Sequence, residues 1–343
     1  MQGWSESLKS EHGFTTWLGL YILNINKSKI MSGQKLKLTD FKASNGNAFL
    51  SLVIPAILAV SGILLALSDT PLLYWAGQFL LSFFFLQTFI LLHECAHLNF
   101  FKSRWLNTLF GHFFGLLSMI PFFTWQHMHN LHHRWTGWRD KDPTTEKTVE
   151  PSKSPVMRTV ANVCWFLFIP IFYIVYKLSN YWNLLKIKRF LNPKKFKTST
   201  YHVAVYFLVY VALGYFLGAF LISLLAPAFL ISLVWKELVI LTQHSHIDIP
   251  LSEGEEVRPI AYKEQVQYTR SFYVNAFFAR HFLFNFNLHE AHHAHPGLPA
   301  YWLEKVALGV PREPRYITWF KKAKSMKGED YIFRTSKHTG KFF

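Results

Sequence analysis

The stretch LLYWAGQFLLSFFFLQTFILLHECAH, residues 72–97, decides how this chain is read. Its first part, Leu72–Leu92, carries no charge over 21 residues, and a bilayer span needs about 20 apolar residues. It then ends on His93-Glu-Cys-Ala-His97. An apolar rod long enough to cross a membrane thus delivers two imidazoles, four residues apart on one helical face, to the membrane's edge.

Two further clusters repeat the theme: His129-Asn-Leu-His132-His133 and His289-Glu-Ala-His292-His293. Both follow apolar stretches, and the 3- and 4-residue spacings let each cluster aim two or three imidazoles at one point. Eight imidazoles exceed what one zinc takes and suit two transition-metal ions side by side. Neutral imidazole leaves the positive charge on the metal, which favours dioxygen chemistry. The non-haem iron pattern of two His and one carboxylate is not met, because the set is nearly all His. Cys95 sits inside the first cluster at a spacing that turns it away. Glu94 and Glu290 follow cluster histidines directly and orient ligands rather than bind metal. Asp140 and Asp142 qualify equally for that role.

The composition, 51% hydrophobic with 18% aromatic, decides little by itself. Its distribution decides more. Ala48–Leu67 and Val203–Trp235 are also free of charge, over 20 and 33 residues. The formal charge of +16 is read as cytoplasmic Lys and Arg flanking membrane spans, not as nucleic-acid binding. The turn Ser68–Pro71 and the stretch Leu221–Pro227 carry no Lys or Arg, so both termini are expected in the cytoplasm. The first 47 residues do not read as a signal peptide, and Cys95 and Cys164 give no disulfide framework.

Parity then constrains the topology. The three clusters must emerge on one face to share metals. Leu106–Trp125 and Val160–Tyr176, the latter broken by Pro170, are therefore expected as interfacial or re-entrant elements. Val203 to about Leu241 is expected to cross twice, turning near Leu221–Pro227. The expectation is an all-α integral membrane protein. Four transmembrane helices form two hairpins beneath a cytoplasmic, histidine-rich helical cap with interfacial helices. Residues 1–47 form a cytoplasmic segment, 48–303 the membrane domain and 304–343 a basic cytoplasmic tail.

Among the 17 histidines, His244 in Gln243-His244-Ser-His246 is the first candidate for a ninth ligand on ligand count, ahead of His246. His127 has the wrong phase, and His112 calls for a polar partner. His12, His202 and His338 are isolated. His295-Pro-Gly-Leu lacks the final glycine of a haem-binding motif.

His93-Glu-Cys-Ala-His97 with the following Phe-Lys-Ser-Arg-Trp-Leu-Asn107 resembles the first histidine box of membrane fatty acid desaturases. Trp125–Gly137 is similar to their second box, and Asn287–His293 with Pro296 and Pro299 to their third. The resemblance runs from about Ala48 to Leu303. It implies four spans, a non-haem di-iron centre and O2 as cosubstrate. It also implies that His93, His97, His129, His132, His133, His289, His292 and His293 are iron ligands, with His244 where related sequences place one more. Ala291 stands where many relatives have Glu. No electron-donor domain is seen, so a separate ferredoxin or cytochrome b5-like donor is expected, drawn to a basic face that anionic lipids explain equally.

The function expected is an oxygen-dependent acyl-lipid desaturase inserting a cis double bond. A hydroxylase or ketolase acting on a lipid or carotenoid is the alternative. A metal carrier is disfavoured, because its path needs ionisable groups within the spans. The lipid, its carrier and the position of attack are not legible.

Overall fold

The computed structural model describes residues 38–148, 154–307 and 315–341. Leu38–Phe41 belong to a separate unit of the chain and contain a 3₁₀ turn, Leu38–Asp40. His12 and most of the N-terminal segment lie outside the described residues. No β-strand occurs among the described residues, and one isolated bridge joins Tyr273 to Arg315.

The first hairpin joins α1 (Asn45–Ala66) to α2 (Pro71–Ala96). Pro71 starts α2 at its first turn, where a missing N–H costs nothing. The hairpin is tight because Gly77 faces Gly62: a Cβ on Gly77 would stand 2.6 Å from Gly62 O and 2.5 Å from Ala66 N. Small residues that let backbones touch are how apolar helices associate where no hydrophobic force acts between them. With 26 residues, α2 is about 39 Å long. That exceeds a hydrocarbon core of about 30 Å, and His93 lies in its last turn.

The two elements expected at the interface are both sharply bent. α3 (Arg104–Ser118) and α4 (Phe122–Trp135) meet at 97°, and α5 (Pro155–Phe166) and α6 (Ile171–Tyr181) at 116°. The first bend follows from Met119, which caps α3 in the left-handed conformation, and from Pro121 at the start of α4. α3 runs beside α2, where Ser118 Oγ–H donates to Thr88 Oγ1 (3.2 Å), and α4 returns, so that Gln126 Nε2–H donates to Ala96 O (2.9 Å). The second box thereby comes back to the first.

After α7 (Leu184–Phe190), the stretch expected to turn near Leu221–Pro227 shows no break in its helix. α8 (Pro193–His244) is one continuous helix of 52 residues, which if straight would measure about 78 Å. Its contacts exclude a straight path. Ser199 near its start meets His127 just before the second box (3.2 Å), and Tyr210 Oη–H donates to Leu116 O (2.9 Å). Leu224 lies beside Gln78 near the start of α2, and His244 is back among the box histidines. The chain runs outward, reverses near Pro227 and returns without a loop. Pro227 lacks an N–H, and Ser223 O accepts from Tyr74 Oη–H instead (2.8 Å). The Gln78 amide stands between Leu224 O and Ala228 N, donating to the first and accepting from the second (both 2.9 Å). The first hairpin thus satisfies the backbone groups that the reversal frees, as an apolar surrounding demands.

A 3₁₀ turn (Tyr262–Tyr268), α9 (Ala276–His281), α10 (His289–Ala294) and α11 (Ala300–Val306) complete the cap. The C-terminal stretch, expected as a tail, is packed. α12 (Tyr316–Lys324) and α13 (Gly328–Phe333) bury Trp319, Ala323, Tyr331 and Ile332 against Trp165 of α5 and Leu238 and Leu241 of α8, and α14 (Ser336–Thr339) follows.

Candidate metal centre

Four helix ends meet in the cap, those of α2, α4, α8 and α10, and they carry nine histidines into two groups. His93, His97, His129, His133 and His292 form one; His132, His244, His289 and His293 form the other. Within each group the ligand nitrogens all lie within 4.8 Å of one another. Each box was expected to aim at one point, and this needs correction. Residues four apart share a group (His93 with His97, His129 with His133, His289 with His293), whereas His132 and His292, three residues on, cross to the other group. A step of three turns a helical side chain to the opposite flank of the same stripe.

The Nε2 atoms face inward. His97 to His129, His129 to His133 and His133 to His292 measure 3.1, 3.0 and 3.1 Å, and His244 to His289 and His289 to His293 measure 2.7 and 3.1 Å. Three of the outward nitrogens have partners. His93 Nδ1–H donates to Glu94 Oε1 (3.0 Å), His132 Nδ1–H to Asp142 Oδ2 (2.6 Å) and His293 Nδ1–H to Gln265 Oε1 (3.0 Å). Such partners fix the tautomer that leaves Nε2 as a bare lone pair. Thr144 holds Asp142 through its N–H and Oγ1–H, 2.8 and 2.9 Å from Oδ1.

The arrangement fits metal. His93 Nε2 is buried and has no hydrogen-bond partner, a cost that a cation would remove. Burial first, then neighbouring histidines, holds the imidazoles of His289, His292 and His293 well below the ordinary value of 6.5, so they are neutral ligands at pH 7. Trp125 stacks on His129 at 5.3 Å and Phe286 packs edge-on against His93 at 4.8 Å, which keeps water out.

The remaining candidates lie elsewhere. His246 has φ +59°, and its ring turns toward the C-terminal helices, so it joins neither group. Asp140 bonds Ser252, not a histidine. Glu290 Oε2 accepts from Ser271 N–H (3.2 Å). Cys95 is buried outside both groups. His112 pairs with Tyr206 Oη (3.2 Å) and His127 with Ser199 Oγ (3.2 Å). Gln265 escapes sequence reading: a lone amide in a polar loop carries no signal. Yet it is fully buried, and its Nε2–H also donates to His133 O (2.7 Å), pinning both groups together.

A cavity of about 440 Å³ reaches the four-histidine group at His244 and Thr144. From there its walls turn apolar, with Ile240, Leu241, Val160, Val175 and Phe333. That volume and lining suit a small apolar ligand.

The model of the family described as fatty acid desaturase matches residues 69–320. An sn-1 oleoyl-lipid 12-desaturase of a Picosynechococcus species is 24% identical over 252 residues, which cover 70% of this chain and 68% of the relative. An sn-1 acyl-lipid omega-3 desaturase (ferredoxin) of a Nostoc species is 26% identical over 54% of this chain and 53% of its own length. A fatty acid desaturase of Bacillus subtilis is 34% identical over 28% of each. The family match takes in all nine histidines, and the chain therefore belongs to the fatty acid desaturase family and is an oxidoreductase, a fatty acid desaturase.

Proposed function

We propose that the chain inserts a cis double bond into an acyl chain carried by a membrane lipid, with nine histidines holding two iron ions and O2 as cosubstrate. The single observation that carries this reading is the pair of histidine groups, side by side and buried, with an apolar cavity opening onto one of them. Relatives named for acyl-lipid substrates support the substrate class. His93, His97, His129, His133 and His292 would hold one iron, and His132, His244, His289 and His293 the other. When bound, the pair supplies the oxidising power that takes one hydrogen from each of two adjacent methylenes.

The protein's own part is positioning and exclusion. The cavity holds one C–C bond at a fixed distance from the four-histidine group, and orientation of this kind removes most of the entropic barrier. Glu94, Asp142 and Gln265 keep the imidazoles in the ligand tautomer. Trp125 and Phe286 keep the centre dry, which protects a strong oxidant from side reactions. The balance closes as chain plus O2 plus two electrons and two protons giving the olefin and two waters. The electrons come from a separate donor, a ferredoxin or cytochrome b5-like protein, in keeping with the ferredoxin in one relative's name.

In the membrane, α1, α2 and the two halves of α8 cross, giving four spans. Both termini and the histidine cap lie in the cytoplasm. Residues 48–303 form the membrane domain, flanked by residues 1–47 and by 304–343.

The test is expression in a host without polyunsaturated lipids, followed by mass spectrometry of its fatty acids and pigments. New double bonds that require O2 are expected. New hydroxyl or keto groups without double bonds would replace this reading by an oxygenase of the same superfamily.

A further inference from the structure

We infer that α13 and its flanks, Gly328–Arg334, form the wall that selects which acyl chain, and which bond of it, meets the metals. His246 acts as the positioning residue that ties this wall to the centre. The inference rests on the cavity being the acyl site.

Three observations meet here. First, Ile332 and Phe333 line the same cavity as His244, although some ninety residues separate them in sequence. Second, the wall is built tightly. A Cβ on Gly328 would stand 2.7 Å from Ala161 O, Trp165 stacks on Tyr331 at 5.1 Å, and Tyr331 Oη–H donates to Leu241 O (2.7 Å). Third, the wall is fastened to the two chain segments that carry metal-group histidines. His246, two residues after His244, donates from Nδ1 to Arg334 O (3.1 Å) and Asp330 O (3.3 Å), and its Nε2 accepts from Thr339 Oγ1–H (2.8 Å). Arg139, six residues after His133, donates from Nη2 to Phe333 O (2.8 Å).

The left-handed backbone of His246 makes this role concrete. A non-glycine residue holds φ > 0 only where its surroundings demand it, and here three acceptor or donor atoms of the C-terminal segment occupy both ring nitrogens. Because the wall hangs from the same segments as the metal groups, its distance from them is fixed. A chain lying against Ile332 and Phe333 is thereby held in register with the centre.

Two measurements on the full-length protein test this. A phospholipid with a diazirine at its acyl terminus, photolysed with the wild-type protein, should label the peptide spanning 328–334. Ile332→Ala, Phe333→Ala, Ile332→Trp and His246→Ala should each retain two irons per chain, while the alternative double-bond positions or chain lengths among the products rise roughly tenfold, the discrimination that one methylene carries. His246→Asn, whose amide N–H replaces Nδ1–H, should restore the parental product pattern.

Absence of label on 328–334 would overturn the inference, as would an unchanged product pattern in all four variants. Loss of an iron from His246→Ala would overturn it too, by making His246 a ligand. Label on 328–334 in a protein that forms no double bond would leave the wall standing and sink the desaturase reading instead.

Discussion

The two histidine groups are near-copies with one unequal corner. The second box gives a pair, His129 and His133, to the five-membered group and one residue, His132, to the other. The third box does the reverse, giving His289 and His293 to the four-membered group and His292 across. What remains is the first box. It supplies the pair His93 and His97 to the larger group, while α8 supplies only His244 to the smaller. Four residues to either side of His244 stand Ile240 and Asp248, so this segment gives no second imidazole, and His246 turns to the C-terminal segment instead. The cavity opens onto the smaller group alone. The group with fewer histidines is thus the one that faces the cavity.

Adjacent histidines of the third box should fail differently. His292→Ala and His293→Ala remove adjacent residues, yet each should lose a different iron, leaving about one per chain and turnover down by about three orders of magnitude or more, on the scale of losing a group that acts as part of a unit. Iron analysis with Mössbauer spectroscopy checks it. Identical spectra from the two variants would end the division into groups.

A smaller effect is expected from the backing carboxylates, one for each group. Glu94→Gln and Asp142→Asn should each lower iron affinity or activity by about 10- to 100-fold, the first weakening the five-membered group and the second the four-membered one. Chelator competition on the purified proteins measures this. Equal weakening of both irons in either variant would show that Glu94 and Asp142 do not belong to separate groups.

The mildest test is acid. The buried imidazoles stay neutral in the folded chain while those of an unfolded chain take up protons near 6.5. Their stability contribution is complete above that value and is lost as pH falls below it, by about 1.4 kcal/mol per pH unit for each such group. Thermal unfolding of iron-free protein from pH 8 to pH 5 should show a falling midpoint. A flat profile would mean that the groups are open to solvent.

Much of this was legible in the sequence, because the signals were dense and periodic. Three boxes at helical spacing, each ending an apolar stretch, brought eight histidines to one place, and ligand count added His244. The same spacing was read too simply. Sharing a stripe does not mean sharing a target, and only the opposing boxes decide to which side His132 and His292 turn. Asp140 and Asp142 were equivalent on paper; the turn after α4 gives Asp142 to His132 and Asp140 to Ser252. Gln265 and the α13 wall were invisible, since their role comes from tertiary contact and not from local pattern. The turn expected near Leu221–Pro227 falls within a stretch that stays helical throughout. Its helix runs on because Gln78, on another element, takes up the freed backbone groups.

The Gln78 bridge ties the folding of one segment to that of another made before it. The fold-back of the later hairpin is encoded by a residue made some 150 positions earlier. Without Gln78 the Leu224 carbonyl and the Ala228 amide would be left unpaired in apolar surroundings, at a cost of several kcal/mol each. Pro193–His244 therefore takes the shape described only with Pro71–Ala96, made earlier, already folded beside it.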